Sequence, residues 1–435
     1  MKIKPVIAAY VKLWGDIAGA VTWVDRFNYA IFEFSESFLQ KKLEISPLLM
    51  SQNTLSQTRK FSFPDLTGTI FHGLPGLLTT SLPDNFGNSI IDSWLKTNNR
   101  HLHTFNPVER LCLIGKRGVG ALEFEPTIGP AKLNQTRKID IEVLLNLTQK
   151  VLHEKTQLDV DISGSDKENK EALLDILRVE TSAGGARAKA IIAIKDKNII
   201  SGQAEVPVGY DHWIIKFDGF PDNAVDSFND PEGYGRIEYA YYLMATEAGV
   251  EMTECKLLEE NNRSHFMTKR FDRNQNVKIH MQSLSSLAHL DWNHSHSYEQ
   301  IFSIIRELNL GYPAHVQQYK RMLFNVLACN MDDHVKNFSF LMDKSGNWRL
   351  SPAYDLVYAY DPYDLFAHQH KLSINGKQNN IVREDLIVIG SKMGINNPDD
   401  LYEEVYEAVQ RWPEFAKAAG VDSVKTDQIH NKLTN

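Results

Sequence analysis

The stretch Asn325 to Asp355, NVLACNMDDHVKNFSFLMDKSGNWRLSPAYD, constrains this 435-residue chain more than any other. Tyr319, Met322, Leu323, Val326 and Leu327 recur at helical spacing, which predicts a helix running to Asn330 and stopping in the polar run Asp332, Asp333, His334. That run is a loop. Beyond it, Phe338 to Met342 reads as a short apolar strand, Asp343 to Gly346 as a turn, and Trp348 to Leu350 as the return strand of a hairpin. A further acid, Asp355, follows the hairpin.

Helix, acidic loop ending in Asn, hairpin and Asp is the order in which kinases of the protein-kinase-like fold carry their catalytic parts. In that template an Asp accepts the proton of the attacking hydroxyl, an Asn five positions later binds magnesium, and a second Asp holds the metal bridging the ATP phosphates. Asp332, Asn337 and Asp355 occupy those places. The spacing lets the base reach the acceptor while the Asn, on the same loop, turns back towards the metal. An Asp and Asn so spaced also arise at helix caps. Their place in the ordered set is what gives them weight.

The length implies two or three domains. Hydrophobic content of 43% and charged content of 23% are those of an ordinary soluble protein. A formal net charge of −8 gives no global reason to bind nucleic acid, so any such contact is local or made through a partner. Cys112, Cys255 and Cys329 are isolated and odd in number, as buried thiols in a reducing compartment would be. The N-terminus lacks the apolar core and cleavage site of a signal peptide, and no apolar run approaches the roughly 18 residues of a membrane span. A cytoplasmic protein with no membrane contact is expected.

Along the chain, Ile7 to Trp14 and Tyr29 to Phe34 read as strands of a small sheet. Phe71 to Leu95 is a turn-rich connection leading to a helix, and Gly115 to Gly120, GKRGVG, is a structural turn without the spacing of a phosphate loop. The polar run Gln157 to Lys170 is a connection between an N-terminal region and the rest, followed by a short helix over Glu171 to Val179. Domains are therefore expected over 1–156, 157–272 and 273–435. Gly184 and Gly185, in TSAGGARAK, would let backbone N–H groups close over phosphate oxygens. Next, Lys216 sits in the strand WIIKF, where an unpaired ammonium among apolar neighbours would be costly. The helix Ile237 to Ala248 offers Glu238 as its partner, or alternatively Glu247. Phe266 to Thr268 is a strand running into KRFDR, where a kinase chain passes from small to large lobe. His289, His294 and His296 near Asp291 match no closed zinc pattern, and the tail beyond Ile381 reads as packing helices.

With these residues placed, the chain resembles the HipA family of bacterial Ser/Thr kinases, the toxin half of a two-gene toxin–antitoxin system. GLPG, SLPDNFGN and GKRGVGALEFEP resemble the family's N-terminal segment; TSAGGARAKA, WIIKF, EYAYYLMATEAGV, KRFDR, DDHVKNFSF and SPAYD follow the family's order through the remainder. The resemblance implies an α+β fold: a small β-rich N-terminal domain, then a two-lobed protein-kinase-like core with a mainly helical C-terminal lobe. It implies ATP and Mg2+ as cofactors, Asp332 as catalytic base, and Asn337 and Asp355 as metal ligands. ATP would be held by Ser182, Gly184, Gly185, Ala186, Lys216, Glu238, Lys269, Phe271, His334 and Lys336, with Lys269 to Phe271 as adenine hinge. Ser182 stands where the family has a serine whose phosphorylation silences the kinase, with Thr181 beside it as a rival acceptor. Implied partners are a protein substrate such as an aminoacyl-tRNA synthetase and a helix-turn-helix antitoxin, with DNA reached only through the latter. The chain departs from the family in carrying Lys269 where the hinge often has Glu.

The loop also resembles the Asp-Arg-His-x-x-Asn of phosphoinositide kinases, so the residues leave the acceptor open. A small-molecule or lipid head-group kinase needs the same ATP parts. A nucleotide-responsive binding partner of a DNA-bound regulator is the non-enzymatic alternative, against which the full set Lys216, Asp332, Asn337 and Asp355 argues.

Overall fold

The computed structural model describes residues 5–51, 58–98, 100–130, 133, 135–142, 144, 188–219, 233–364 and 367–434. These fall into two compact units, one drawn from within 1–220, 272–282 and 342–346, the other from within 221–271, 283–341 and 347–435. The expected connection at Gln157 to Lys170, the helix Glu171 to Val179 and the Gly-rich segment with Thr181, Ser182, Gly184, Gly185 and Ala186 lie outside the described residues.

The first unit opens with strands β1 (Ala8–Leu13), β2 (Asp16–Val24) and β3 (Tyr29–Phe34). With β4 (Lys60–Ser62) and β5 (Leu122–Glu125) they form an antiparallel sheet in the order β4-β3-β2-β1-β5. Val11, Leu13, Val21, Phe32 and Phe34 alternate onto its buried face. The two strands read from sequence are present, the first a residue shorter at each end. In β2, Ala18, Gly19 and Ala20 are poor strand formers that interrupt the signal of Ile17 and Val21 to Val24. Tertiary contact decides it: a Cβ on Gly19 would sit 2.3 Å from the Glu33 carbonyl oxygen.

Behind the sheet, helix Pro107–Ile114 is punctuated at both ends. Asn106 and Glu109 form a reciprocal capping box, Pro107 opens the first turn, and Gly115, at φ +58°, ends it. Glu109 also accepts from the Val6 N–H at 2.9 Å and from Arg100 at 2.7 Å, and its side chain is wholly buried. The GKRGVG turn beyond is held by protein groups. The Gly120 N–H donates to the Asp272 carboxylate at 2.8 Å, and Arg273 donates to the carbonyls of Gly118 and Gly120. Later in the unit β7 (Asn198–Ser201), β6 (Lys189–Lys195) and β8 (Asp211–Lys216) lie side by side in that order, antiparallel, with residues 189–193 of β6 all buried.

In the second unit β9 (Cys255–Glu260) and β10 (Arg263–Lys269) form a hairpin whose two-residue turn, Asn261 and Asn262, has both φ values positive, as a primed turn requires. Helix Tyr234–Glu247 lies on it so closely that a Cβ on Gly235 would meet the Ser264 carbonyl oxygen at 2.0 Å. The helices Tyr298–Glu307, Gly311–Leu327, Arg383–Lys392, Pro398–Gln410, Trp412–Ala419 and Ser423–Leu433 complete the unit. At their core the Tyr241 ring meets those of Trp412 and Phe324, with centroids 5.4 and 6.0 Å apart. Among the described residues no helix is long and apolar enough to cross a membrane, and all three cysteines are buried free thiols.

Candidate active site

Helix Gly311–Leu327 ends three residues earlier than its apolar periodicity predicts. Val326 and Leu327 are half-buried, whereas Phe324 and Asn325 are in the core. The chain leaves the helix through a Schellman turn: the Asn330 N–H donates to the Asn325 carbonyl (2.9 Å), the Cys329 N–H to that of Val326 (3.3 Å), and Cys329 takes φ +52°. That position usually belongs to Gly or Asn. A Cys there gives no stop signal in the sequence, which is why the helix reads as longer than it is.

The loop that follows sends consecutive acids in opposite directions. Asp332 keeps 58% of its side chain open to solvent, while Asp333 is wholly buried. The turn closes with the Asn337 N–H on the His334 carbonyl (2.9 Å), and the Asn337 Nδ2 donates to the Asp332 carbonyl at 2.8 Å. From outside the loop, the Leu284 and Ser285 N–H groups, at the start of helix Leu284–Ala288, donate to the carbonyls of Phe338 (2.7 Å) and Val335 (3.1 Å). The strands Ser339–Met342 and Trp348–Leu350 come next, the first beginning one residue later than expected. In SPAYD the Ala353 N–H joins the Glu251 carbonyl (2.8 Å), and the Tyr354 hydroxyl donates to the Lys336 carbonyl (2.7 Å) with Ser339 Oγ 2.5 Å away. Asp355 itself sits at φ +55°, a conformation an Asp tolerates better than most residues, and one that clusters at functional sites.

The protein wall around Asp332 raises its carboxyl pKa above the ordinary carboxylate range, and the nearby charges of Asp355 and Asp333 add to this. His334, whose Nε2 lies 3.8 Å from the Asp332 carboxylate, and Lys371 act in the opposite sense. Because the carboxyl opens to water, the wall acts as a concave surround and not as full enclosure. The Asp355 carboxylate lies close enough to Asp332 to act on it as a like charge. The donation from Asn337 Nδ2 to the loop carbonyl fixes the side-chain amide against the loop, and its Oδ1, an acceptor, takes no part in that bond. Beside the loop, the Lys336 ammonium stands over the Trp292 ring at 3.7 Å, and the Trp292 and His334 rings are 5.2 Å apart.

Thus Asp332, His334, Lys336, Asn337 and Asp355 are brought to one place in the second unit, and Phe271 joins them through a ring contact with Tyr354 at 5.6 Å. Lys269 ends β10 with its N–H on the Glu254 carbonyl (2.9 Å) and its carbonyl accepting from Thr253 Oγ1 (2.8 Å). Glu238 is 2% exposed on helix Tyr234–Glu247, one turn beyond Gly235. Glu247 is instead exposed at the far end of that helix and bound to Arg411 at 2.7 Å. Lys216 belongs to the first unit, half-buried at the end of β8 and opposite Lys189 in the ladder. Of the histidines, His289 turns the chain out of helix Leu284–Ala288, with burial pushing its pKa down to about 4, and His296 Nε2 bonds the Asp291 carbonyl at 2.7 Å. Among the described residues no group of three or more His, Cys, Asp or Glu is set to hold a metal.

Two features escaped the reading of the sequence. One is the inward role of Asp333, for which an adjacent pair of acids gives no sign of which turns in. The other is Asp84 of SLPDNFGN, whose Oδ1 caps helix Asn85–Thr97 by accepting from the Gly87 N–H (2.7 Å) while Oδ2 lies 3.1 Å from the buried Lys189 ammonium. The Asp before a helix was a legible cap signal; its ion pair, 105 residues away by number, was not.

A family model described as the HipA N-terminal domain matches residues 9–125, and one described as the HipA-like C-terminal domain matches residues 181–432. A protein of Haemophilus influenzae, named provisionally as a kinase, is 24% identical over 215 residues, 41% of this chain; the chain spans 62% of that relative's length. Among solved structures, HipA of Shewanella oneidensis MR-1, in a toxin–antitoxin complex with HipB and operator DNA, is similar over 98% of this chain and 95% of that one. The TM-score is 0.65 and the identity 16%, a likeness of fold. The Helicobacter pylori proinflammatory kinase CtkA covers 52% of this chain and 86% of its own, at a TM-score of 0.37 and 14% identity.

Proposed function

The chain belongs to the HipA family, and on that premise we propose that it is an ATP- and magnesium-dependent Ser/Thr protein kinase, the toxin of a toxin–antitoxin pair. The observation that carries this reading is the single loop that exposes Asp332, fixes the Asn337 amide by a 2.8 Å bond to the Asp332 carbonyl, and lies within electrostatic reach of Asp355.

In the proposed mechanism Asp332 accepts the proton of the acceptor hydroxyl as its oxygen attacks the γ-phosphorus and the bond from that phosphorus to the β–γ bridging oxygen breaks, releasing ADP. A carboxylate held above its ordinary range is a stronger base. Asn337 Oδ1 and the Asp355 carboxylate would hold magnesium, which neutralises charge on the β and γ phosphates. Lys336, on the same loop, is assigned to the phosphates. At the hinge the Lys269 N–H is already committed to β-structure, so adenine contact falls to the neighbourhood of Phe271. Phosphorylation of Ser182 would set about −1.5 to −2 charges beside the nucleotide's phosphates and switch the kinase off.

The acceptor is proposed to be a protein of translation, and an aminoacyl-tRNA synthetase is the first candidate. The partner is proposed to be a small helix-turn-helix antitoxin, through which the chain reaches DNA; the Shewanella relative was solved with HipB and operator DNA. Incubation of the purified chain with γ-labelled ATP, magnesium and a cell extract should label a protein in a manner that requires Asp332. Label appearing only in small molecules or lipid would replace the protein-kinase reading with the metabolic one.

A further inference from the structure

Beneath the loop that carries Asp332 runs a chain of polar side chains through an otherwise apolar core. Asp333, Tyr298, Asn325, Asn330 and His370 are each no more than 4% exposed. Asn330 donates both ways, and from it the bonds run on towards Asp333. Asn330 Nδ2 donates to the Asp355 carbonyl (3.4 Å) and to Asn325 Oδ1 (3.0 Å), Asn325 Nδ2 to the Tyr298 hydroxyl (2.9 Å), and the Tyr298 hydroxyl to Asp333 Oδ2 (2.7 Å). At the Asp333 end the same carboxylate collects His370 Nδ1 (3.0 Å) and the backbone N–H groups of Lys371 (2.7 Å) and Leu372 (3.4 Å). Burial, then the Asp333 charge, hold the Tyr298 hydroxyl protonated far above its ordinary range, so it serves as a donor throughout.

Such a chain is a poor device for stability alone. Each polar group gives up water on burial, and a buried polar network can often be replaced by apolar groups at little loss. What hydrogen bonds supply that apolar contacts do not is direction. This chain begins at the backbone of Asp355, which follows the hairpin, and ends on the residue next to Asp332, which precedes it. The geometry points to Asp333, Tyr298, Asn325 and Asn330 as one positioning unit that fixes the spacing between the proton-accepting loop and the metal-binding carboxylate. His370 and the segment behind it serve as the anchor. The inference rests on the kinase reading, since it assigns the unit to phosphoryl transfer, and none of its members touches the reacting atoms.

The test is steady-state phosphoryl transfer by the full chain, with Asp332→Asn as control. Tyr298→Phe removes one hydroxyl without changing the packing volume, Asn330→Ala removes the other end of the relay, and Asp333→Asn exchanges an acceptor for a donor. Misplacement of catalytic groups by an ångström costs about 10²-fold in rate. Asp333→Asn should therefore lower kcat by about that factor with the KM for ATP changed less than about twofold, and Tyr298→Phe by a smaller factor. Because Tyr298 and Asn330 do not touch, a merely structural role predicts that their losses multiply. A relay predicts that the double variant loses little more than the worse single one. Multiplying losses, or losses shared between KM and kcat, would overturn the proposal while Asp332→Asn remains inactive. Transfer that survives Asp332→Asn would overturn the kinase reading, and the proposal with it.

Discussion

Replacing Asp332 by Asn separates activity from stability, and the structure sets both expectations. Among the described residues, the loop's ties do not use the Asp332 carboxylate: Asn337 bonds the Asp332 carbonyl, and the others run through Asn337, Val335 and Phe338. His334 Nε2 lies 3.8 Å from the carboxylate. The substitution should leave the phosphate and metal groups in place and remove only the proton acceptor, which typically contributes about 10²- to 10⁴-fold, or roughly 3 to 5.5 kcal/mol of barrier. Stability should move the other way. A carboxyl whose folded pKa is raised binds its proton more tightly in the fold, so its contribution is fully favourable below about pH 4 and is lost as pH rises through the folded value. At neutral pH its charge is a burden that Asn lifts. With 58% of the side chain exposed the effect is screened and should stay under about 0.5 kcal/mol. Labelled-phosphate transfer and thermal unfolding on the same preparation measure both. Turnover within a few-fold of the unaltered chain would remove Asp332 from the mechanism; a Tm lowered by several degrees would show that the carboxylate holds structure.

Other substitutions probe the remaining assignments. Asp355→Ala should weaken magnesium-dependent ATP binding in calorimetry, with metal-free nucleotide affected far less; equal losses in both would place Asp355 outside the metal site. His334→Gln removes a group that favours the Asp332 carboxylate, so the acid limb of the pH–rate profile should move to higher pH, and a shift to lower pH would contradict the electrostatic account. Purified active protein should carry phosphate on Ser182 and the Asp332→Asn protein should not, by mass spectrometry; phosphate on Thr181 or nowhere would sink self-inactivation. Glu109→Ala should destabilise the first unit by about 3 to 5 kcal/mol in urea unfolding, because it removes the carboxylate partner of the largely enclosed Arg100 and frees the capped helix start. A loss under about 1 kcal/mol would mean water replaces the carboxylate there.

The sequence alone determined what depends on neighbours in the chain. Alternation marked β3, turn chemistry marked the hairpin at Asp343 to Gly346, and the spacing of Asp332, Asn337 and Asp355 was legible because the three lie on a few short neighbouring segments. Ordered motifs over most of the length then led to the family that the family models match. What depends on groups far apart in the chain was decided only by the fold. β2 continues through Ala18, Gly19 and Ala20 although these three disfavour a strand, and at Gly19 a side chain would clash with the Glu33 carbonyl. The long helix stops at Leu327 because Cys329 adopts a left-handed turn that no local preference announces. Of two adjacent acids, Asp332 faces solvent and Asp333 faces the core, since Tyr298, His370 and two backbone amides converge on the second. Periodicity and spacing encode what one segment can present, whereas which neighbour satisfies a buried charge is fixed only when segments tens of residues apart pack together.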